Sequence, residues 1–456
     1  MFPRGIDGLF LPPHEGVEVL ALVQRGTPEE AWAARFLPPS RLIAYELTEE
    51  LGPYPATEEL LSRSNAGRAL EARGVRALLL SAACTPATRA WADRHGVRLL
   101  MVDYDEQRRL EDKVWFDGFL RRHRIPVPDG TVMRFGPNAA GASLAFRGPV
   151  VIQARDSMGG EGTYFVNGAR DVEPLVASGA LRRDQRYLVR RFVEGVAYGI
   201  TILVAPGRVA LSAIRRQCYH EARYSAADQA SRVFAGVQWV PSREVSTRLR
   251  RRIDRALLRL GDLLYARRAF GFANVDFMVD RDERVLVLEC NPRMSAATPQ
   301  LLHVPELLSG GQAGAAFLRG FLARRVFTRS PARTPVPDTS YEGATLDVVA
   351  ASATQVHRTF DSGVYRFAAR GQRLAYVTPD VRELRDADHL SLVSFARTGQ
   401  TCKPGDALAT IVSTDRLYDA DGEMTARATE VSSSFRYTDD RQGSPQEEAA
   451  RHPAPR

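Results

Sequence analysis

Long apolar runs and clustered basic segments are both missing from this chain of 456 residues. No run approaches the roughly 18 apolar residues that a membrane-spanning helix requires. The N-terminal segment MFPRGIDGLF lacks the charged start and apolar core of a secretion signal. The formal net charge is +8, but the basic residues are spread along the chain, whereas a nucleic-acid-binding surface needs them clustered. We therefore expect a cytoplasmic protein that has neither a membrane nor a nucleic acid as its partner.

Cysteine and lysine are both scarce. Lys113 and Lys403 are the only lysines, so arginine supplies nearly all of the positive charge. The cysteines have no CxxC spacing and no nearby pair of histidines, which argues against a disulfide framework and against a zinc site. They are expected to be reduced thiols, as is usual in the cytoplasm. The four cysteines are Cys84, Cys218, Cys290 and Cys402.

A glycine-rich dinucleotide fingerprint is also absent. Short apolar runs alternate with helical patterns between residues 15 and 103, which is typical of a parallel α/β domain. The turn after the first run reads QRGTPEE, without the glycines that a Rossmann-type site needs. The predicted strands are Val17 to Val23, Arg41 to Leu47, Val75 to Ala83 and Val97 to Val102, and the predicted helices are Glu58 to Arg73 and Pro86 to His95.

The most informative segment that is present spans residues 274–295 and reads NVDFMVDRDERVLVLECNPRMS. Its two apolar runs flank a polar turn, which predicts an antiparallel hairpin that brings Asp276 close to Glu289. A lone buried carboxylate is costly unless it is paired or binds metal. Hard divalent cations prefer oxygen ligands, so we predict a site for Mg²⁺, or alternatively Mn²⁺, at Asp276, Glu289 and Asn291. Arg293 has a planar fork that suits phosphoryl or carboxylate oxygens. The alternative is a surface hairpin with solvated charges.

The order of these residues resembles the metal-binding hairpin of the ATP-grasp superfamily, in which an Asp or Glu precedes Glu-x-Asn, often followed by Pro-Arg. The resemblance covers about residues 103–324 and implies a central ATP-grasp fold of two α+β subdomains that grip ATP, with ATP and Mg²⁺ as cofactors. The expected fold class is therefore α/β and α+β. The predicted regions are an N-terminal parallel α/β domain (1–104), the ATP-grasp domain (105–326, flap at about 131–193), a linker (327–340), a small C-terminal β-rich domain (341–418) and a disordered tail (427–456).

Two further segments match the family in order along the chain. One predicted helix, Asp105 to Arg124, carries Asp112 and Lys113 ahead of IPVP, like a DK pair of the family. The resemblance implies that Lys113 contacts phosphate or adenine, and the alternative is a solvated helix lysine. The segment 185–204 resembles the hinge strand whose backbone reads adenine, although Ala197 stands where many members place a ribose-binding Glu. The predicted hinge contacts are Arg191, Phe192, Val193 and Glu194.

A glycine-rich turn lies between two predicted strands in residues 149–166, PVVIQARDSMGGEGTYFV. Its glycines permit positive φ and let backbone N–H groups approach a phosphate, and the resemblance implies a flap over ATP. The family usually has a lysine on the strand entering this loop, where this chain has Gln153. Because strand alternation places residue 155 on the same face, Arg155 is the candidate replacement cation. The predicted contacts in the turn are Ser157, Met158, Gly159, Gly160 and Gly162.

A polar cluster that includes Arg215 and Arg216 follows a predicted strand, Val209 to Ile214. In related ligases this region reaches the phosphoryl-transfer centre, which makes Arg215, Arg216 and Arg293 the candidate catalytic residues for the γ-phosphate or the substrate carboxylate. The alternative is a polar loop after a strand. A helix is predicted over residues 246–266, and no convincing Ser-His-Asp or Cys-His set occurs.

The resemblance implies an enzyme that phosphorylates a carboxylate with ATP, after which an amine attacks the acyl phosphate. The leading expectation is a ligase that joins a small carboxylic acid or amino acid to an amine or peptide. Its layout is similar to the peptide ligases of natural-product pathways, such as the pheganomycin type. The alternatives are a biotin-carboxylase-like or purine-pathway carboxylate activator, and a non-catalytic module that binds nucleotide or peptide. Homodimers are common in the superfamily, and the sequence leaves the oligomeric state open.

Overall fold

The N-terminal region forms short parallel strand pairs covered by helices. In the computed structural model, β1 pairs with β2 and β3 pairs with β4, both in parallel as predicted, although the strands are shorter than predicted. Helices α1 and α3 each begin with a threonine cap followed by proline, a favoured helix start. The elements are β1 Ala21–Gln24, α1 Pro28–Ala33, β2 Leu42–Tyr45, α2 Ala66–Ala72, β3 Ala77–Leu78, α3 Pro86–Arg94 and β4 Arg98–Leu99. The structure describes residues 18–47, 63–79, 85–135, 148–156, 162–221, 232–309, 314, 317, 330–350, 353–367, 374–384, 386–403, 406–435 and 437.

The single helix predicted over residues 105–124 is two helices, α4 (Tyr104–Glu111) and α5 (Lys113–Arg122). Asp112 separates them with an extended backbone, ψ 102°. Its carboxylate accepts a hydrogen bond of 2.9 Å from the backbone N–H of Trp115, so it caps the new helix. An aspartate that caps a helix start competes with continuation of the preceding helix. Lys113 therefore begins a helix instead of lying within one.

A four-stranded antiparallel sheet, which we call the flap sheet, has the order β5-β8-β6-β7. Ile152 and Val189 face one side, where they pack in an apolar core with Val172 of α6. Arg190 pairs directly with Val151, so both project from the opposite side. The strands predicted on either side of the glycine-rich turn do pair. The elements are β5 Gly130–Met133, β6 Val150–Ala154, β7 Thr163–Val166, α6 Ala169–Ala177 and β8 Tyr187–Arg191.

The central sheet carries the predicted metal hairpin, and the predicted helix 246–266 packs against it as α7. Ser246 caps α7, and its apolar side chains Ile253 and Leu257 share a core with Ile200 and Val275 of the sheet. Residues 215–221 form a strand, not the polar loop considered above, because they pair on both sides with neighbouring strands. The elements are β9 Gly195–Ala205, β10 Arg208–Leu211, β11 Arg215–Glu221, β12 Arg232–Trp239, α7 Thr247–Ala266, β13 Gly271–Asp280, β14 Val285–Asn291, α8 Thr298–His303 and β15 Ala332–Thr334.

The C-terminal β-rich region continues the same sheet. The path β14-β13-β9-β11-β12-β16-β22-β20-β18-β19 is hydrogen-bonded throughout, within a sheet of 12 strands in the described residues. The sheet therefore has no break at the predicted boundary near residue 340. The elements are β16 Ala344–Val349, β17 Thr354–Gln355, β18 Gly363–Arg366, β19 Ala375–Thr378, β20 His389–Ser394, β21 Thr401–Cys402, β22 Ala407–Ser413 and α9 Ala426–Ser434.

Helix α9 corrects the prediction of a disordered tail from residue 427. Thr425 caps it, and Val431, Phe435 and Tyr437 are buried in the core of the C-terminal strands. These buried side chains anchor the helix within an otherwise polar sequence, and composition alone did not reveal them. Residues 438–456 lie outside the described part. No helix in the described residues is long and apolar enough to cross a bilayer.

Candidate functional site

The predicted hairpin is confirmed in its register. Asp276 on β13 lies directly opposite Glu289 on β14, and Asn274 lies opposite Asn291. The Asn291 amide donates a hydrogen bond of 3.1 Å to Glu289, and the Asp276 carboxylate lies within hydrogen-bonding reach of both Glu289 and Gln217. Strand alternation thus gathers two carboxylates and an amide on one face of the sheet.

The two carboxylates have opposite protonation preferences. Burial, reinforced by the neighbouring Glu289 carboxylate, raises the pKa of Asp276 to about 7. Burial also favours the neutral form of Glu289, but Lys113 and Asn291 outweigh it and hold the pKa of Glu289 below its ordinary value. Two acids this close share a proton near neutral pH unless a cation separates them. The oxygen-rich donor set fits a hard divalent cation.

Lys113 lies beside this pair. Its ammonium group is 3.3 Å from the Glu289 carboxylate, and its side chain is only 7% exposed. The backbone N–H of Lys113 donates a 3.2 Å hydrogen bond to the carbonyl of Arg155, at the end of flap strand β6. Lys113 is therefore not a solvated helix lysine. It contacts both the hairpin and the residue that follows flap strand β6.

Arg155 does not stand beside Gln153. Strand β6 ends at Ala154, so the alternation that relates residues 153 and 155 stops before Arg155, which lies in a turn. Its guanidinium pairs instead with Asp112 at 2.6 Å, and its side chain is 58% exposed. The predicted phosphate cation is thus engaged with the cap of α5.

A buried arginine of β8 approaches Gln153 instead. Arg190 brings Nη1 to 3.5 Å from the Gln153 side-chain oxygen. The same guanidinium pairs with Asp117 of α5 at 2.9 Å and donates to the carbonyl of Leu288 at 3.0 Å. Gly130 lies opposite Arg190, and a Cβ there would come within 2.8 Å of its stem. The flap sheet, α5 and β14 are therefore tied together by one side chain.

The glycine-rich turn is described only at its end. Ser157, Met158, Gly159 and Gly160 lie outside the described residues. Gly162 has φ 68°, in the left-handed region that favours glycine. Its carbonyl accepts a 2.8 Å hydrogen bond from Ala154 and closes the base of the turn.

The predicted hinge contacts lie at the end of β8 and in the segment that joins β8 to β9. The backbone N–H of Phe192 bonds to the Pro149 carbonyl at 2.9 Å, so it is used within the protein, and the Phe192 ring lies 6.1 Å from Phe165. Glu194 pairs with Arg281 at 2.8 Å near the surface. Arg191 is exposed, and Val193 is half-buried.

The two predicted arginines of β11 point in opposite directions. Arg215 is only 3% exposed and faces the carboxylates, and its charge opposes the raised pKa of Asp276. Arg216 projects from the other face, where it bonds to the carbonyl of Ala420 and lies 5.9 Å from the ring of Tyr198. Adjacent strand residues alternate between faces, so only Arg215 shares the hairpin's polar face.

A glycine makes room for Arg215. Its Nη1 donates to the Thr201 hydroxyl at 2.9 Å and its Nη2 to the Asn274 side-chain oxygen at 3.1 Å. To reach these two partners, the Arg215 side chain passes over Gly199, which pairs directly with Arg215 on β9. A Cβ at position 199 would lie 3.0 Å from the Arg215 Nε atom. Gly199 in turn pairs with Asp276, so Arg215 and the hairpin acids lie in one row across the sheet.

Arg293 closes the other side of the hairpin. Its guanidinium donates 3.0 Å hydrogen bonds to Asn291 and to Glu111 of α4, and its side chain is 17% exposed. The sequence analysis overlooked several polar partners of these side chains. Strand alternation could have predicted that Asn274 shares a face with Asp276, since it lies two residues before it. No local pattern in the sequence marks the other partners. These partners are Glu111, Asp117, Thr201, Gln217 and Asn274.

Comparison with protein families and known proteins agrees with this geometry. A family model described as an ATP-grasp domain matches residues 110–297. The large chain of carbamoyl phosphate synthase from Thermomicrobium roseum is 26% identical over 321 residues, 66% of this chain and 28% of that protein. The C-terminal section of the same enzyme from Methanopyrus kandleri is 26% identical over 211 residues, 45% of this chain and 36% of that protein. The chain thus spans about a third of the length of these relatives.

Solved structures share the fold. The biotin carboxylase domain dimer of 2-oxoglutarate carboxylase from Hydrogenobacter thermophilus, in complex with MgADP, ADP and bicarbonate, has a TM-score of 0.56 at 11% identity, covering 86% of this chain and 85% of that one. Carboxyaminoimidazole ribonucleotide synthase from Aspergillus clavatus, complexed with ATP, has a TM-score of 0.52 at 14% identity, covering 91% and 90%. Residues 110–297 therefore match an ATP-grasp domain, and the mixed α/β chain shares the fold of these solved structures.

Proposed function

We propose that this protein is an ATP-dependent ligase that activates a carboxylate by phosphorylation and joins it to an amine. The observation that carries the proposal is the row Lys113, Glu289, Asp276 and Arg215, in which two acids that fit a divalent cation lie between two buried cations. Phosphoryl transfer depends on positioning and on neutralising oxygen charges rather than on a side-chain nucleophile.

The proposed ligand contacts follow the two sheets. Asp276, Glu289 and Asn291 would hold Mg²⁺, or Mn²⁺, and when bound the metal neutralises charge between the β- and γ-phosphates. Lys113 and Gln153 are suited to the ATP phosphates, on the side of the flap sheet. The backbone near Phe192 is assigned to adenine. The further nucleotide contacts proposed are Arg155, Ser157, Met158, Gly159, Gly160, Gly162, Arg191, Val193 and Glu194.

The proposed reaction has two steps. A carboxylate oxygen of the acceptor attacks the γ-phosphorus while the bond to the β–γ bridging oxygen breaks, which gives an acyl phosphate and ADP. The amine then attacks the acyl carbon, phosphate leaves and the amine loses a proton to solvent. Arg215 and Arg293 supply positive charge on the acceptor side of the hairpin, where exclusion of water would protect the acyl phosphate.

A small inorganic acceptor is the second candidate. The fold likeness to a biotin carboxylase domain that contains bicarbonate, and to a carboxyaminoimidazole ribonucleotide synthase, favours it. In that case bicarbonate takes the place of the organic carboxylate. A peptide or amino acid as acceptor, and a role in secondary metabolism, belong to the first candidate. A cytoplasmic location and a homodimer complete the proposal; the buried thiols of Cys218, Cys290 and Cys402 suit a reducing compartment.

The test is ADP release in the presence of Mg²⁺ and ATP, measured against bicarbonate and a panel of carboxylic acids and amino acids, each with and without an amine. At least one acceptor should stimulate ADP release more than tenfold. Asp276→Asn and Glu289→Gln should abolish the stimulation. Asp280→Asn is the matched control, because Asp280 lies on the same strand but pairs with Arg284 at the hairpin turn. If nucleotide binds and no acceptor stimulates release, the protein is a non-catalytic nucleotide-binding module and the ligase proposal fails.

A further inference from the structure

We infer that Arg215 binds the carboxylate or bicarbonate group of the phosphoryl acceptor, and that Asn274 is the residue that positions it. This rests on the proposed function and assigns one end of the site to a substrate class. Arg215 is buried and bonds only to neutral side chains among the described residues, Gly199 leaves space for it, and it lies away from the flap sheet.

Arg215 is a buried cation that bonds to no carboxylate in the described part of the chain. Its side chain is nearly inaccessible, and its guanidinium bonds to Thr201 and Asn274 but to no carboxylate among the described residues, although the charge of the nearby Asp276 carboxylate acts on it. Its described hydrogen-bond partners, Thr201 and Asn274, are both neutral. A buried charge is costly unless it is paired. Because its direct hydrogen-bond partners are neutral, the guanidinium charge is left for an anion that arrives from outside the chain.

Asn274 holds Arg215 without cancelling its charge. The Asn274 side-chain oxygen accepts three hydrogen bonds, from Thr201 at 2.7 Å, from Ser295 at 3.0 Å and from Arg215 at 3.1 Å. The amide nitrogen of Asn274 donates to the carbonyl of Arg293. One uncharged side chain thus fixes Arg215 relative to the segment that carries Arg293. An aspartate at this position would be almost the same shape but would neutralise the guanidinium.

Two neighbours fix the plane of the guanidinium. Gly199 leaves the space through which the Arg215 side chain passes. The ring of Trp239 lies 5.9 Å from the central carbon of the guanidinium. A planar fork held in one orientation matches the two oxygens of a carboxylate or of bicarbonate better than a flexible ammonium does. The geometry suits a small planar anion.

The position of Arg215 separates it from the nucleotide side. Lys113 is tied to the flap sheet through Arg155 and touches Glu289. Arg215 lies on β11, beyond Asp276 and across Gly199. The metal-binding acids therefore lie between the two cations. In an in-line transfer the entering and leaving oxygens are on opposite sides of phosphorus. We therefore expect Lys113 to contact the leaving nucleotide and Arg215 to contact the entering acceptor.

Steady-state kinetics of ADP release distinguish the nucleotide end of the site from the acceptor end. With bicarbonate, or with the panel carboxylate that gives the fastest release, Arg215→Gln should raise the KM for that acceptor at least 30-fold and change the KM for ATP less than threefold. Lys113→Gln should show the reverse pattern. If Arg215→Gln raises the KM for ATP as much as the KM for the acceptor, Arg215 serves the nucleotide and the inference is wrong.

Two milder variants test the positioning. Asn274→Asp should raise the KM for the acceptor at least tenfold, with the KM for ATP nearly unchanged. Gly199→Ala keeps every charge but crowds Arg215, and should act in the same direction. A parallel fall in kcat with both KM values unchanged would indicate a merely structural role for Asn274 and overturn its assignment.

An independent binding measurement separates this inference from the proposed function. In the MgADP complex, bicarbonate and acetate binding is followed by tryptophan fluorescence, since Trp239 adjoins Arg215. Saturable binding should be lost in Arg215→Gln and retained in Lys113→Gln at an ADP concentration that saturates that variant. Anion binding that survives Arg215→Gln overturns the inference while leaving the ligase proposal intact. Failure of the wild-type protein to bind MgADP instead refutes the proposed function itself.

Discussion

Metal binding to the hairpin should release a proton. Asp276 has a pKa of about 7 because it is buried next to Glu289, whereas a metal ligand must be ionised. A divalent cation must therefore displace the proton that the two carboxylates share. The affinity should rise with pH through 7 and level off above it, because protonated Asp276 is the form that competes with the metal.

The size of the effect follows from the fraction of ionised Asp276. With a pKa of about 7, roughly one tenth of the molecules have the ionised form at pH 6 and roughly nine tenths at pH 8. The affinity should therefore increase about tenfold between these two values, which corresponds to about 1.4 kcal/mol. At pH 7 about half a proton should be released for each metal ion bound.

The assay uses Mn²⁺ without nucleotide, because nucleotide phosphates titrate in the same range. Free Mn²⁺ is measured by electron paramagnetic resonance, and proton release by calorimetry in buffers of different ionisation enthalpy. Asp276→Asn should remove both the pH dependence and the released proton. Asp347→Asn is the matched control, because Asp347 is another buried carboxylate with a raised pKa, in a different part of the sheet. A pH-independent affinity in the wild-type protein would refute the reasoning.

Three further predictions concern single side chains. Burial raises the pKa of Asp347 from 3.8 to about 6, so its stabilising contribution is present below pH 3.8 and lost as the pH rises through 6. Asp347→Asn should therefore raise the free energy of unfolding by roughly 1 to 3 kcal/mol at pH 8 and by little at pH 4, in urea titrations. Gly130→Ala should lower the free energy of unfolding by roughly 1 to 3 kcal/mol, because the added methyl group would overlap Arg190. Gly118→Ala, in open space on a helix, should raise the free energy of unfolding by about 0.5 to 1 kcal/mol. In equilibrium binding of MgADP, Arg155→Gln should weaken affinity less than threefold and Lys113→Gln more than tenfold; equal effects would contradict the placement of Lys113.

The features that sequence predicts well are local. Residues 274–291 place two apolar runs on either side of one short polar turn, so their pattern predicts an antiparallel hairpin, and Asp276 does lie opposite Glu289. The same is true of helix α7, whose apolar spacing and Ser246 cap are contained in one segment. Each depends on interactions between residues that are near one another in the chain.

The features that sequence did not predict depend on distant partners. Arg190 meets Asp117 across 73 positions, and no pattern in either segment announces the pair. The alternation that suggested Arg155 as a replacement cation stops where strand β6 stops, one residue earlier. Asp112 interrupts a well-patterned helix because its carboxylate caps the next one. In each case a tertiary or capping contact overrides a correct local period.

The unbroken sheet limits how this chain can be divided. Strand β12 is hydrogen-bonded to β16 through Gly236, Val237 and Gln238, and a Cβ at Gly236 would overlap the carbonyl of Thr345. A truncation near residue 340 would leave an unpaired strand margin beside Trp239, of the kind that recruits other chains into aggregates. The strands that carry Asp276 and Glu289 and the C-terminal strands should therefore be expressed as one piece.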